Sequence, residues 1–228
     1  MMDGVANGAF DPSETGNGEG GAESRAAPRF TLLIRTAKLL SSKGEFLCVV
    51  RDASSTGVSV RTFHKLPNDR RMTLEMPNGD THRIELVWEK EGSAGFRFEE
   101  EIDTQRMIEG RSRFAKRPVR LRLHVPALVS SHGRSYGAVV RNLSQQGARI
   151  ECAEHLALDQ KVRLEADGLP ALQSTVRWRH KEEYGLVFDQ TFQFAELAEI
   201  ANELQSGKRS DPLVAPDGAN YVKPKSTL

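Results

Sequence analysis

The stretch Asn142-Leu-Ser144-Gln-Gln-Gly147 decides how this chain is organised, because a near-copy of it, Asp52-Ala-Ser54-Ser-Thr-Gly57, lies upstream. The two closing glycines are 90 residues apart. The same distance separates further matching pairs: Trp88 and Trp178, Gly95 and Gly185, Phe98 and Phe188. Separate motifs that recur in one order at one spacing indicate an internal repeat. We therefore expect two copies of one structural unit.

A pair of arginines precedes each copy of this stretch. Arg25 and Arg29 stand before the first copy, and Arg113 and Arg117 stand before the second, with two more residues between pair and motif. A guanidinium group can donate two parallel hydrogen bonds to a phosphate or to the edge of a guanine. Asp or Asn can accept from a base, Ser can donate or accept, and Gly permits a positive φ or the close approach of a ligand. The combination is typical of a nucleotide-phosphate site, although Asp-x-Ser-x-x-Gly alone is also a good structural turn.

The pattern between these motifs predicts antiparallel β-structure. Apolar residues alternate with charged ones over 119–125, which is the period of a strand with one buried face. Turn signals divide each copy into about six strands, and we expect each copy to close into a small barrel. Trp88 and Trp178 end alternating apolar faces and are expected in the core, with Gly95 and Gly185 at a bend or bulge. Apolar residues at helical spacing predict a helix over 192–205 that packs on the second barrel, and a short helical turn is expected around 101–110.

Composition and charge indicate the nature of the chain ends, the role of the cysteines and the cellular location. The chain has 228 residues and a net charge of +1, which is the sum of −5 over 1–23, +4 over 24–205 and +2 over 206–228. The two ends are polar and rich in Gly or Pro, so we expect a disordered acidic tail over 1–23 and a disordered tail over 207–228. Two cysteines, Cys48 and Cys152, are too few for a disulfide framework. With no apolar run long enough to span a membrane, we expect a soluble, cytoplasmic protein.

Sequence marks of catalysis are missing. The six histidines form no His-Glu-x-x-His pattern, and the chain has no Gly-x-Ser-x-Gly elbow and no Gly-rich phosphate loop ending in Gly-Lys-Ser/Thr. We expect no enzymatic activity, no metal and no cofactor.

These motifs together resemble the PilZ domain, a six-stranded barrel that binds the bacterial second messenger cyclic di-GMP. The family's two ligand motifs are Arg-x-x-x-Arg before the first strand and Asp/Asn-x-Ser-x-x-Gly between the second and third strands. The closing Gly-x-x-Phe of each copy also looks like the family's last strand. The resemblance implies an all-β protein of two tandem six-stranded antiparallel barrels, with domains over 24–105 and 113–206 and a linker over 106–112.

The resemblance also implies two ligand sites. The preferred site, in the second copy, comprises Arg113, Arg117, Asn142, Ser144 and Gly147. The site in the first copy comprises Arg25, Arg29, Asp52, Ser54 and Gly57. The first arginine pair directly follows the acidic tail, so we expect the second site to dominate.

The function implied is a receptor or adaptor whose barrels reorient when cyclic di-GMP binds, and whose new shape is read by an unidentified partner protein. Two alternatives stay open. One is a pair of small barrels that binds nucleic acid, which the charge of +4 over 24–205 and the few aromatic residues disfavour. The other is a non-catalytic pair of barrels that binds only protein.

Overall fold

A computed structural model describes the backbone of residues 30–109 and 118–205, and the side chains of these ranges except 30–34 and 108–109. Both predicted tails lie outside the described residues, as do the two arginine pairs and part of the predicted linker over 106–112. The predicted domain boundaries therefore stay predictions.

The first copy forms a closed six-stranded antiparallel barrel. Its strands are β1 (Phe30–Ser41), β2 (Gly44–Ala53), β3 (Gly57–Arg61), β4 (Arg71–Glu75), β5 (Thr81–Lys90) and β6 (Ser93–Phe98). A short helix, α1 (Thr104–Glu109), follows, and its Met107 is buried in the core of this barrel. Around the barrel the strands follow the order β1-β2-β3-β6-β5-β4.

The second copy repeats the architecture. Its strands are β7 (Leu121–Ser131), β8 (Arg134–Ser144), β9 (Gly147–Cys152), β10 (Lys161–Ala166), β11 (Leu172–His180) and β12 (Glu183–Phe188), and α2 (Phe194–Gln205) follows. They close in the matching order β7-β8-β9-β12-β11-β10. The predicted fold of two six-stranded barrels with a C-terminal helix is thus confirmed. No described helix is long and apolar enough to cross a membrane.

Alternation along the strands builds each core. On β9 the side chains of Ala148, Ile150 and Cys152 point inward and are buried, while Arg149 between them faces outward. Cys48 lies on β2 in the core of the first barrel and Cys152 lies on β9 in the core of the second, and both are free thiols. Burial raises the pKa of both thiols, which keeps them protonated and unreactive at neutral pH.

The expectation that both tryptophans lie in the core was wrong. Trp88 and Trp178 are each 40% exposed. A β-bulge falls directly before each of them, between Leu86 and Trp88 and between Val176 and Trp178. One extra residue in a strand reverses the face on which later side chains lie. The bulge therefore turns a side chain that the alternation assigns to the core onto the outer surface.

Helix α2 packs on the second barrel, as predicted, through the buried side chains of Leu197, Ala198 and Ala201. It also contacts the first barrel. The rings of Phe63 and Phe194 meet edge to face at 5.6 Å between centroids. The side chain of Gln205 accepts a hydrogen bond from the N–H of Glu45 at 2.7 Å and donates one to the carbonyl of Glu45 at 2.8 Å.

The two barrels also meet directly, through strands β2 and β7. Leu47 of β2 is buried in the apolar cluster of the second barrel. The carboxylate of Glu45, nine-tenths buried, accepts hydrogen bonds from the backbone N–H of Arg122 at 2.9 Å and from its guanidinium Nε. Lys38 donates to the same carboxylate at 3.1 Å and lies 3.0 Å from Glu75. The contact between the barrels thus combines an apolar patch with a network of charges.

Candidate functional site

A row of outward-facing residues crosses four strands of each barrel in register. In the first barrel Asp52 pairs with Ser59, Ser59 with Gly95, and Gly95 with Trp88. We call these four residues row one. In the second barrel the corresponding row two is Asn142, Arg149, Gly185 and Trp178. Residues directly opposite each other on neighbouring strands have Cβ atoms about 5 Å apart, so each row is continuous.

Each tryptophan lies across the glycine of its row. A Cβ atom at Gly95 would overlap the indole of Trp88, and one at Gly185 would overlap the indole of Trp178. These glycines are therefore required by the indole that covers them, whereas the sequence predicted a bend or bulge at the glycine itself. The result is a flat aromatic face in each row, with one strand between the covered glycine and the Asp or Asn. Such a face can stack on a nucleobase.

The Ser-x-x-Gly part of each motif forms a tight turn beside its row. The backbone N–H of Ser54 donates to the carbonyl of Gly57 at 2.8 Å, and the N–H of Gly57 donates to the Ser54 hydroxyl at 3.1 Å. The Ser144 hydroxyl donates to the carbonyl of Gly147 at 3.0 Å. Both serines are buried. In this structure their hydroxyls hold the turn, and the Asp or Asn two residues earlier is the more exposed group.

The two motif glycines owe their place to a close approach of backbone. Neither Gly57 nor Gly147 has a positive φ, contrary to one of the roles suggested by the sequence. A Cβ atom at Gly57 would crowd the carbonyl oxygen of Phe96, and one at Gly147 would collide with that of Leu186. Glycine lets the third strand of each barrel lie close to the last.

Row one opens into a cavity of about 240 Å³. Its lining includes Asp52, Gly57, Ser59, Trp88 and Arg97. Within row one the Ser59 hydroxyl donates to Asp52 Oδ2 at 3.0 Å. This cavity brings together the three described motif residues that the sequence assigns to the first site.

Arg97 in this cavity is already paired with a carboxylate. It donates to Glu85 at 2.7 Å, and Arg70 binds the other oxygen of Glu85 at the same distance. The hydrogen bond from Arg97 and the charge of Arg70 hold the pKa of Glu85 below its usual range. The position that matches Arg97 in the second barrel is occupied by Val187, which is 41% exposed.

The first strand of each barrel starts next to its row. Phe30, which follows Arg29, pairs with Ala53, so the first strand starts beside Asp52. In the second barrel Leu121 pairs with Leu143, and Arg122 pairs with Asn142.

More residues of the chain separate the second arginine pair from the strand that follows it than separate the first pair from β1. Residues 118–120 separate Arg117 from β7, and they line a cavity of about 380 Å³ between the barrels together with Lys38 and Glu75. Arg29 directly precedes Phe30, the first paired residue of β1. Because three residues lie between Arg117 and β7, the corresponding position directly before its first paired residue, Leu121, is occupied by Arg120. Three residues, 118–120, therefore precede β7, and β7 is one residue shorter than β1, which together account for the two extra residues seen in the sequence.

A larger cavity, of about 910 Å³, lies elsewhere on the first barrel. Its lining includes Asp80, Asp103 and the run Glu99-Glu100-Glu101, with His82 and Arg106 among them. Burial lowers the pKa of His82, so this imidazole is neutral at pH 7. An acidic lining of this kind repels an anionic ligand, and we therefore locate the candidate sites at the rows.

Sequence reasoning missed three contributors to these surfaces: the exposed tryptophans, Arg149 and Arg97. The repeat did signal the tryptophans, because Trp and Gly recur together with the Ser-Gly motif. Arg149 and Arg97 gave no such signal, since each occurs in one copy only.

A model of the PilZ domain matches residues 23–110 and again residues 111–205. The chain therefore belongs to the PilZ domain family, and it carries two such domains.

Several solved structures match the chain. PlzA of Borreliella burgdorferi in complex with c-di-GMP is 10% identical over 74% of this chain and 87% of that chain, with a TM-score of 0.30. The inhibitor of motility MotI/DgrA of Bacillus subtilis is 16% identical over 78% of this chain and 100% of that one, with a TM-score of 0.34. YcgR of Escherichia coli in complex with c-di-GMP is 10% identical over 75% and 81%, with a TM-score of 0.26. No curated protein sequence matches the chain.

Proposed function

We propose that this protein is a non-catalytic receptor for cyclic di-GMP with one binding surface on each barrel. The observation that carries the proposal is the doubled row, in which Asp52 or Asn142 lies in register with an exposed tryptophan beside a Ser-x-x-Gly turn. We name cyclic di-GMP as the ligand because the chain belongs to the PilZ family.

Each group of the surface has a part in this proposal. The pairs Arg25/Arg29 and Arg113/Arg117 clasp phosphate and guanine, because a guanidinium donates in parallel to either. Asp52 and Asn142 accept from the ligand. Ser54, Gly57, Ser144 and Gly147 keep the turn in place, and Trp88 and Trp178 offer their faces to a guanine base. The ligand is bound reversibly and is not a cofactor.

Ligand binding at the second site acts on the contact between the barrels. Arg122 lies directly opposite Asn142, and the same Arg122 is bonded to Glu45 of the first barrel. An anionic ligand that binds beside Asn142 competes with the Glu45 carboxylate for Arg122. The barrels then change their relative orientation, and an unidentified partner protein in the cytoplasm reads the altered surface.

A comparison of ligands tests this function. The two tryptophans of the chain lie one in each row. Intrinsic fluorescence is therefore followed while cyclic di-GMP, GMP or a single-stranded RNA is added. We expect saturation with cyclic di-GMP at micromolar concentrations and far weaker binding of GMP, which has one base and no cyclic diphosphate. Equal affinity for GMP, or tighter binding of the RNA, would contradict the proposal and favour a nucleic-acid-binding pair of barrels.

A further inference from the structure

The two rows are alike except at two of their four places. Asp52 is replaced by Asn142, and Ser59 is replaced by Arg149. Arg149 faces outward, because its neighbours Ala148 and Ile150 are buried. It pairs with Asn142 on one side and with Gly185, beneath the Trp178 indole, on the other. Arg149 therefore lies in register between Asn142 and the glycine that Trp178 covers.

Polar atoms of row two are left without partners. Arg149 Nε and Asn142 Oδ1 are buried, and neither forms a hydrogen bond with any of the residues that the structure describes. In row one, by contrast, Asp52 Oδ2 accepts from the Ser59 hydroxyl. Buried polar groups in folded proteins are nearly always bonded. An unpaired donor beside an unpaired acceptor fits a ligand that offers an acceptor next to a donor.

The contact that holds Arg149 in this structure is weak. Its guanidinium lies 3.4 Å from a carboxylate oxygen of Glu183, and both side chains are 38% exposed. Ion pairs that are exposed to this degree contribute little, because water screens them. The terminal nitrogens of Arg149 are therefore available to a ligand at small cost.

We propose that Arg149 determines the base specificity of the second site, a proposal that rests on the proposed function. A base stacked on Trp178 presents its edge to Arg149 and Asn142. Guanine offers the O6 and N7 acceptors to a guanidinium, whereas adenine places an amino donor where guanine has O6. Beside O6, the N1–H of guanine can donate to Asn142 Oδ1. Arg149 thus favours guanine over adenine, and the Ser59 of row one lacks this fork of donors.

The test compares cyclic di-GMP with cyclic di-AMP at the second site alone. In the full-length Trp88→Phe protein, Trp178 is the one remaining tryptophan and reports on row two. We expect Arg149→Ser to weaken the binding of cyclic di-GMP about tenfold while cyclic di-AMP changes less than about twofold. Arg163→Ser is the matched control. This arginine is exposed on β10, three strands from β9, and pairs with Glu165.

The affinities of the Arg149→Ser variant for the two ligands decide whether Arg149 determines base specificity. A tenfold loss for cyclic di-GMP with an unchanged circular dichroism spectrum supports the proposal, even if cyclic di-AMP binds too weakly to measure. Unchanged affinity for cyclic di-GMP, or equal losses for both ligands, would overturn it while leaving the proposed function intact. If Trp178 does not respond to cyclic di-GMP although calorimetry shows binding, row two is not the site. The absence of binding to the unmutated protein by calorimetry would remove the proposed function itself, and this inference with it.

Discussion

Glu45 of the first barrel and Arg122 of the second are joined by two hydrogen bonds, one to the backbone N–H at 2.9 Å and one to the guanidinium. Burial raises the pKa of Glu45, but the hydrogen bonds from Arg122 and Lys38 outweigh this effect and hold it below its usual value. The ionised carboxylate is therefore the form that fits the contact. Because Arg122 also lies opposite Asn142, this pair links the candidate ligand surface to the position of the other barrel.

The first prediction concerns pH. A depressed pKa in the folded protein means that Glu45 stabilises the contact fully above its unfolded pKa of about 4.3, and that this contribution is lost as the pH falls through the lower, folded value. We expect Glu45→Gln to lower the melting temperature at pH 7 and to make it less sensitive to acid between about pH 5 and 3. Other carboxylates titrate in this range, so the difference between variant and parent is the quantity to measure.

Glu165→Gln provides the control for that experiment, since its partner Arg163 is exposed and both residues belong to strand β10 of the second barrel. An acid dependence of Glu45→Gln equal to that of the parent protein would show that the carboxylate does not stabilise the contact.

The second prediction separates binding from stability at the second site. Arg117→Ala should weaken the binding of cyclic di-GMP by about 1–3 kcal/mol without unfolding the barrel. Ser144→Ala should cost nearer 1 kcal/mol, and since its hydroxyl holds the turn, part of that cost should appear in the unfolding free energy. Arg120→Ala is the comparison that tells the two positions apart: Arg120 lies three residues along the chain, where Arg29 lies relative to the first barrel, and its replacement should matter less. Calorimetry and thermal unfolding of the three variants check this. A loss of binding in Arg120→Ala with none in Arg117→Ala would mean that the site is misplaced.

The third prediction ranks the two sites. Replacing Arg113 and Arg117 by Ala should remove most of the binding heat, whereas replacing Arg25 and Arg29 should remove a minor share. The five carboxylates of residues 1–23 compete with an anionic ligand for the first pair. Row one also carries Asp52 where row two carries the neutral Asn142. Deleting residues 2–22 should leave the first site unharmed or tighter. Complete loss of binding in the Arg25→Ala, Arg29→Ala variant would reverse the ranking.

Much of the fold could be predicted from the sequence, because it depends on repetition and alternation. The constant spacing of the Ser-Gly motifs, the period of two along 119–125 and the turn residues gave two six-stranded barrels and the final helix. The outward turn of Trp88 and Trp178 could not be predicted. It follows from bulges that leave no mark in the pattern of apolar residues. The link between Glu45 and Arg122 was equally out of reach, since it depends on how the barrels pack.

The candidate site was predicted in part. The motif residues Asn142 and Asp52 do lie on the barrel surface beside tight turns. The two motif serines, expected on the same surface, are buried in the turns, because a hydroxyl close to its own backbone bonds there first. Arg149 could not be found from the repeat, because the matching position in the first barrel is occupied by Ser59.

The fourth prediction concerns the motion. Two fluorophores, one on each barrel, should report a changed and narrower distribution of transfer efficiency when cyclic di-GMP saturates the protein. Two arginine contacts of about 1–3 kcal/mol each supply about 2–6 kcal/mol, and a shift from 1:99 to 99:1 needs about 5.5 kcal/mol. We therefore expect a large but incomplete shift. An unchanged distribution would refute the reorientation, and so would a shift that persists at equal occupancy in the Arg113→Ala, Arg117→Ala variant.

Binding of cyclic di-GMP is measured most directly by a calorimetric titration of the full-length protein. We expect a dissociation constant of about 1 μM or lower, equivalent to about −8 kcal/mol, with most of the heat lost in the Arg113→Ala, Arg117→Ala variant. The absence of any heat of binding, together with unchanged tryptophan fluorescence when the ligand is added, would contradict the proposed function.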